Sequence, residues 1–150
     1  MARTYYSTVF EQSADDIWVV IRDFSAYSVW LPGTESRIEE HKSGDQVGAI
    51  RNVRIGDKTI RQRLLAHSDI DRLQTYEFCG PAPFPVRNYR ATLRVTPIVD
   101  GGRAFVEWWA TFDCAAQEQE HWTRYFAQNG FAKWLGSLRR HLMRNQLAAE

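Results

Sequence analysis

A chain of 150 residues, 44% hydrophobic and 25% charged, has the size and mix of one ordinary globular domain and excludes a disordered, collagen-like or two-domain protein. Its 19 Lys and Arg against 18 Asp and Glu leave a formal net charge of +1, too little to capture nucleic acid or an anionic membrane by charge. With no apolar leader and no run of ~18 uncharged apolar residues, a cytoplasmic protein that does not insert in a membrane is expected.

Tyr5 to Phe10 is a β-branched and aromatic run that reads as a first strand. Ser13 then offers an N-cap with Asp15 and Asp16 in the first turn, and Ile17, Val20, Ile21 and Phe24 recur at helical spacing, so a helix is predicted over Ala14 to Phe24. A second short helix, Ala26 to Leu31, stops at Pro32-Gly33. From Ser36 to Cys114 the glycine-bearing turns predict an antiparallel meander of six strands. Gln117 to Ala149 contains no proline and predicts one long helix that crosses the sheet as far as about Asn145. Its apolar positions change phase between Trp122, Tyr125, Phe126 and the later Phe131, Trp134, Leu135, Leu138, Leu142. A bend at Asn129-Gly130, or burial on two sides, is therefore expected.

Two hairpin registers follow from the turns. A two-residue Gly56-Asp57 turn pairs Val53 with Ile60 and Arg51 with Gln62, on the apolar face that carries Ala49, Leu64 and Ala66. A turn centred on Gly101-Gly102 pairs Val95 with Trp108, Leu93 with Ala110, Ala91 with Phe112 and Tyr89 with Cys114. The same register sets Arg90, Thr92 and Arg94 outward, opposite Asp113, Thr111 and Trp109, the last as a cation–π pair. Arg51 is then a guanidinium on an apolar concave face, costly to desolvate unless something meets it. It serves either as an anchor for a carboxylate, enolate or carbonyl oxygen, or as a strand-end residue reaching water or a carboxylate of the N-terminal helices.

Strand, two helices, six strands and a long helix make an α+β domain whose curved seven-stranded antiparallel sheet wraps the C-terminal helix. This order, with Trp30-Leu31-Pro32-Gly33, Gly48-Ala49-Ile50-Arg51, Pro85 to Val95 and Val106 to Asp113, resembles the START/Bet v 1-like superfamily and its helix-grip fold. Within it the chain is similar to the bacterial polyketide cyclase/dehydrase-like family. The resemblance spans nearly the whole chain and implies a hydrophobic pocket between sheet and helix. Some enzymes of the superfamily use an arginine in the Gly-x-x-Arg position with a proton-shuttling carboxylate on the next strand. Here that position is Gln62, which does not titrate usefully.

The expected function is binding of a hydrophobic or amphipathic small molecule by a carrier, sensor or sequestering protein, monomeric or homodimeric. The candidate ligand-binding residues are Arg51, Gln62, Tyr76, Phe78, Tyr89, Trp108, Phe112, Tyr125, Phe126 and Asn129. The alternative for the aromatics is a solid core, in which large rings simply fill space. A second function, a cyclase, dehydratase or isomerase, would use Arg51 on an oxyanion and Tyr89 in proton exchange. A third, a protein-interaction module, would need an exposed apolar patch at Trp109 or Trp134. The four histidines lack metal-ligand spacing, and no Gly-x-Ser-x-Gly, P-loop or Gly-x-Gly-x-x-Gly occurs, so neither metal nor cofactor is expected. Cys79 and Cys114 are too few for a disulfide scaffold, with a single bridge left open.

Overall fold

The computed structural model of the protein describes residues 1–149. Strand β1 (Ala2–Phe10) begins before the aromatic run because its whole length pairs with the last strand. Helix α1 (Ala14–Ile21) starts as its cap dictates, with Ser13 Oγ accepting from the Asp16 N–H at 3.1 Å. It ends earlier than the apolar spacing suggests, since Asp23 caps a separate 3₁₀ turn over Phe24–Ala26, and α2 is the single turn Tyr27–Trp30. Then come β2 (Thr34–Ile38), β3 (Ile50–Ile55), β4 (Lys58–Ser68), β5 (Leu73–Phe78), β6 (Arg87–Ile98) and β7 (Arg103–Asp113). They form one antiparallel sheet in the order β1-β7-β6-β5-β4-β3-β2.

The β3–β4 hairpin has the expected register, with Val53 opposite Ile60 and Arg51 opposite Gln62. The β6–β7 register differs from expectation by two residues. Val95 faces Val106, Leu93 faces Trp108 and Ala91 faces Ala110, because the turn spans Val99 to Gly102 and sits off centre from Gly101-Gly102. An even shift leaves every side chain on its expected face. It does change the partners: Thr92 lies opposite Trp109, Arg94 opposite Glu107 and Arg90 opposite Thr111, and the guanidinium near Trp109 belongs to Arg3, 5.9 Å from the ring centroid. Tyr89 has no partner at Cys114, since a bulge between Arg87 and Arg90, with Asn88 left-handed at φ 55°, takes up the slack. Thr92 points outward yet is buried, its hydroxyl 2.9 Å from that of Thr75.

A second bulge, between Leu64 and Ala66, reverses the facing of the end of β4. Ala66 consequently leaves the concave face, and His67 takes its place against Trp18. Asp69, just beyond, accepts from Trp18 Nε1 (2.9 Å) and Arg22 Nε (3.0 Å) and lies 3.0 Å from His67 Nε2, so it clamps α1 to the β4–β5 turn. The Arg22 guanidinium first, then the indole N–H, hold its carboxyl well below the usual range. A depressed folded pKa gives stability that is complete above the ordinary aspartate value and is lost only as pH falls through the folded one. Asp69→Asn is accordingly expected to lower Tm by a few degrees at neutral pH, with the gap from wild type closing in melts below about pH 4.

The C-terminal segment is helical from Ala116 to Ala149 but not uniformly α. A 3₁₀ turn (Ala116–Glu118) leads into α3 (Gln119–Tyr125), a π-helical turn (Phe126–Phe131) and α4 (Ala132–Ala149). The wider turn absorbs the change of apolar phase, so Phe126 and Phe131 both face inward along with Leu135, Leu138 and Leu142. Gly130 sits inside it, where a Cβ would stand 3.3 Å from the Trp134 ring. Edge strand β1 holds the helix at both ends. Thr4 Oγ1 donates to the Thr123 carbonyl at 2.7 Å, and Arg139 Nη1 donates to the Val9 carbonyl at 3.0 Å, which gives that cation a structural task. Cys79 and Cys114 are free thiols. No helix among the described residues is long and apolar enough to cross a membrane.

Candidate functional site

A curved sheet gripping one helix encloses more volume than side chains fill near its open edge. Here that leaves a cavity of about 550 Å³ between α2, the concave side of β3 to β5, and the π turn with α4. Its apolar wall includes Leu31, Val53, Ile60, Phe78, Phe84 and Trp134. Its polar half consists of Tyr27, Thr34, Gln62, Tyr125, Asn129 and Ser137, with the exposed cations Lys133 and Arg140. No Asp, Glu or His lines it among the described residues.

Of the residues nominated from the sequence, Gln62, Phe78, Tyr125 and Asn129 line this cavity. Arg51, Tyr76, Tyr89, Trp108, Phe112 and Phe126 instead stand in the packed core behind it. The reason is the π turn, which drives Phe126 inward until its ring meets Phe112 edge-on at 5.2 Å and Tyr89 at 5.1 Å, filling that side of the barrel. Tyr89 also stacks on Phe78 at 4.7 Å. Burial pushes the Tyr76 phenol up to about 12 and that of Tyr89 well above its ordinary value, so both are fixed as neutral hydroxyls.

Arg51 is only 3% exposed, and no carboxylate forms an ion pair with it among the described residues. Its Nε donates to Gln62 Oε1 at 2.9 Å, Nη2 donates to the same oxygen, and Nη1 donates to the Phe24 carbonyl at 3.4 Å. Three rings complete the cage, with the guanidinium carbon 3.9 Å from the Phe24 centroid, 4.1 Å from Tyr27 and 5.3 Å from Tyr76. Burial draws its pKa down from the usual value, yet a guanidinium so placed remains protonated. No water-reaching or carboxylate-paired strand-end role fits it, and it is not among the residues that line the cavity. The charge lies one residue behind the cavity wall, separated from it by Gln62.

Tyr27, Leu31, Phe84, Lys133, Trp134, Ser137 and Arg140 escaped the sequence reading of the site. The last four share one face of α4 at i, i+1, i+4 and i+7, a pattern legible only once the π turn sets the phase. Tyr27 and Leu31 precede the Pro32-Gly33 stop, which marked an element boundary but not a wall. Trp109 and Trp134 are each half-buried, and Trp134 packs 5.3 Å from Trp108.

Solved structures share this arrangement. A Thermobifida fusca protein is 29% identical over 96% of this chain and 95% of its own, with a TM-score of 0.84. An uncharacterized Bacillus thuringiensis protein is 28% identical over 95% of this chain and 99% of its own, with a TM-score of 0.80. At 15% identity, norcoclaurine synthase from Thalictrum flavum shows the same Bet v 1-like fold, with a TM-score of 0.75 over 96% of this chain and 95% of its own. No curated protein matches in sequence. Residues 1–146 match the family described as polyketide cyclase/dehydrase and lipid transport, and the chain belongs to that family.

Proposed function

We propose that the chain binds a hydrophobic or amphipathic small molecule in the cavity between its sheet and its C-terminal helix, as a carrier, sensor or sequestering protein. The observation that carries this is the cavity itself: about 550 Å³, with half of its sixteen lining residues apolar and the rest bearing hydroxyls, carboxamides or cations. Sites for drug-sized molecules have that size. The family's description, which joins cyclases and dehydrases with lipid transport, is compatible with the same reading. A cyclase or isomerase would need a group that exchanges a proton near neutral pH. The cavity offers no carboxylate or imidazole among the described residues, and burial raises the Tyr27 phenol above its ordinary pKa. Binding without chemistry is thus the reading the site favours.

Native mass spectrometry of the protein as purified is the direct test. A bound species of on the order of a few hundred daltons is expected, released by organic extraction. A bare chain that also fails to take up an apolar naphthalene-type dye would overturn the proposal.

A further inference from the structure

We infer that the cavity recognises an oxygen acceptor on its ligand, a carboxylate or a carbonyl, through the Gln62 carboxamide, with Arg51 as the residue that fixes its orientation. This rests on the cavity being a ligand site. A glutamine amide carries an acceptor and two N–H donors, and rotation by half a turn exchanges them. At Gln62 the exchange is forbidden. Arg51 brings two N–H groups to Oε1 and has only donors to offer, so the opposite orientation would set N–H against N–H beside a buried cation. Oε1 is consumed by the guanidinium, and Nε2 is left with no partner among the described residues, on a residue that lines the cavity.

The neighbouring groups reinforce the same sign. Tyr27, whose ring lies 4.1 Å from the guanidinium, also lines the cavity, and its hydroxyl has no hydrogen-bond partner among the described residues. Burial keeps that phenol protonated, so it too is available as a donor. The charged residues in the wall, Lys133 and Arg140, are cations, and no acid among the described residues opposes them. A polar head that accepts hydrogen bonds finds donors and positive potential, whereas a cationic head meets the same positive potential as repulsion. Unlike a bare arginine in the wall, this arrangement delivers a hydrogen bond to the ligand without exposing the charge, because the guanidinium's own hydration is replaced by Gln62, the Phe24 carbonyl and three rings.

Isothermal titration calorimetry with 2-naphthoate, 2-acetonaphthone and 2-methylnaphthalene, on the wild type and on Gln62→Glu, tests this. The three probes share one apolar body and differ in carrying a carboxylate, a ketone or no acceptor. In the wild type at least one oxygen-bearing probe should bind about tenfold or more tightly than 2-methylnaphthalene, and which one gains tells carboxylate from carbonyl recognition. Gln62→Glu keeps an acceptor for Arg51 and so should fold with its Tm kept or raised, but it replaces the donors with a carboxylate oxygen. The acceptor advantage should vanish while 2-methylnaphthalene binds as before. Equal binding of all three probes, unchanged by the substitution, would overturn the role of Gln62 and leave the cavity reading standing. Failure of all three to bind would overturn the cavity reading and this inference with it.

Discussion

Trp108→Ala is expected to cost about 3–5 kcal/mol, the range for removing a large buried aromatic side chain, and at this chain length to lower Tm by about 10 °C or more. Trp108 is 1% exposed at the middle of β7, and its ring joins three separate elements. Phe131 of the π turn stacks on it at 5.0 Å and 14°, Trp134 of α4 lies at 5.3 Å, and Trp30 of α2 lies at 6.4 Å. Its indole N–H donates to the Tyr76 hydroxyl at 3.2 Å, so this buried donor is paired. Truncation would open a void that the sheet backbone on one side and the helix on the other leave little freedom to close. Trp108→Phe keeps most of the volume and should lose less than half as much. Thermal melts of the two variants decide it, and an alanine variant that melts with the wild type would show that the helix is held mainly by its ends, at Thr4 and Arg139.

Trp108 also shows how far the sequence reaches. Its inward face was legible from strict alternation along β7, which survives any even error in register, but its partner was not. The turn's centre depends on how four residues, Val99 to Gly102, share the reversal, and two adjacent glycines fit several centres. The bulge at Leu64 and Ala66 did flip a face, and nothing in a run of Leu-Leu-Ala announces where a ladder slips. The site was legible in the same uneven way. Arg51 and Gln62 were paired correctly because a two-residue turn leaves no freedom, and Phe78, Tyr125 and Asn129 were named among the candidates. What separates wall from filling is the rotation of Phe126 and Phe131 in the π turn, a tertiary choice that the phase break at Asn129-Gly130 signalled without specifying.

Arg51→Met is expected to leave the fold as stable as the wild type or more so, while Arg51→Lys destabilises it by about 1–3 kcal/mol. The wild-type guanidinium carries a desolvation cost of several kcal/mol with no carboxylate to offset it. Its compensation is the pair of bonds to Gln62, the longer one to the Phe24 carbonyl, and the faces of Phe24, Tyr27 and Tyr76. Methionine gives up those bonds but removes the charge, and its flexible thioether packs well against rings. Lysine keeps the charge and loses the geometry, since a compact, strongly hydrated ammonium cannot spread across three rings and reach Gln62 and Phe24 together. Stability and binding should then part company. In Arg51→Met the Gln62 amide is free to turn, so a ligand with an acceptor head, 2-naphthoate for example, should bind about tenfold more weakly, ~1.4 kcal/mol, although nothing it touches has been changed. Paired melts and titrations read both quantities on the same samples. A methionine variant that melts well below the wild type and binds 2-naphthoate unchanged would place Arg51 in the service of the fold and remove it from the site.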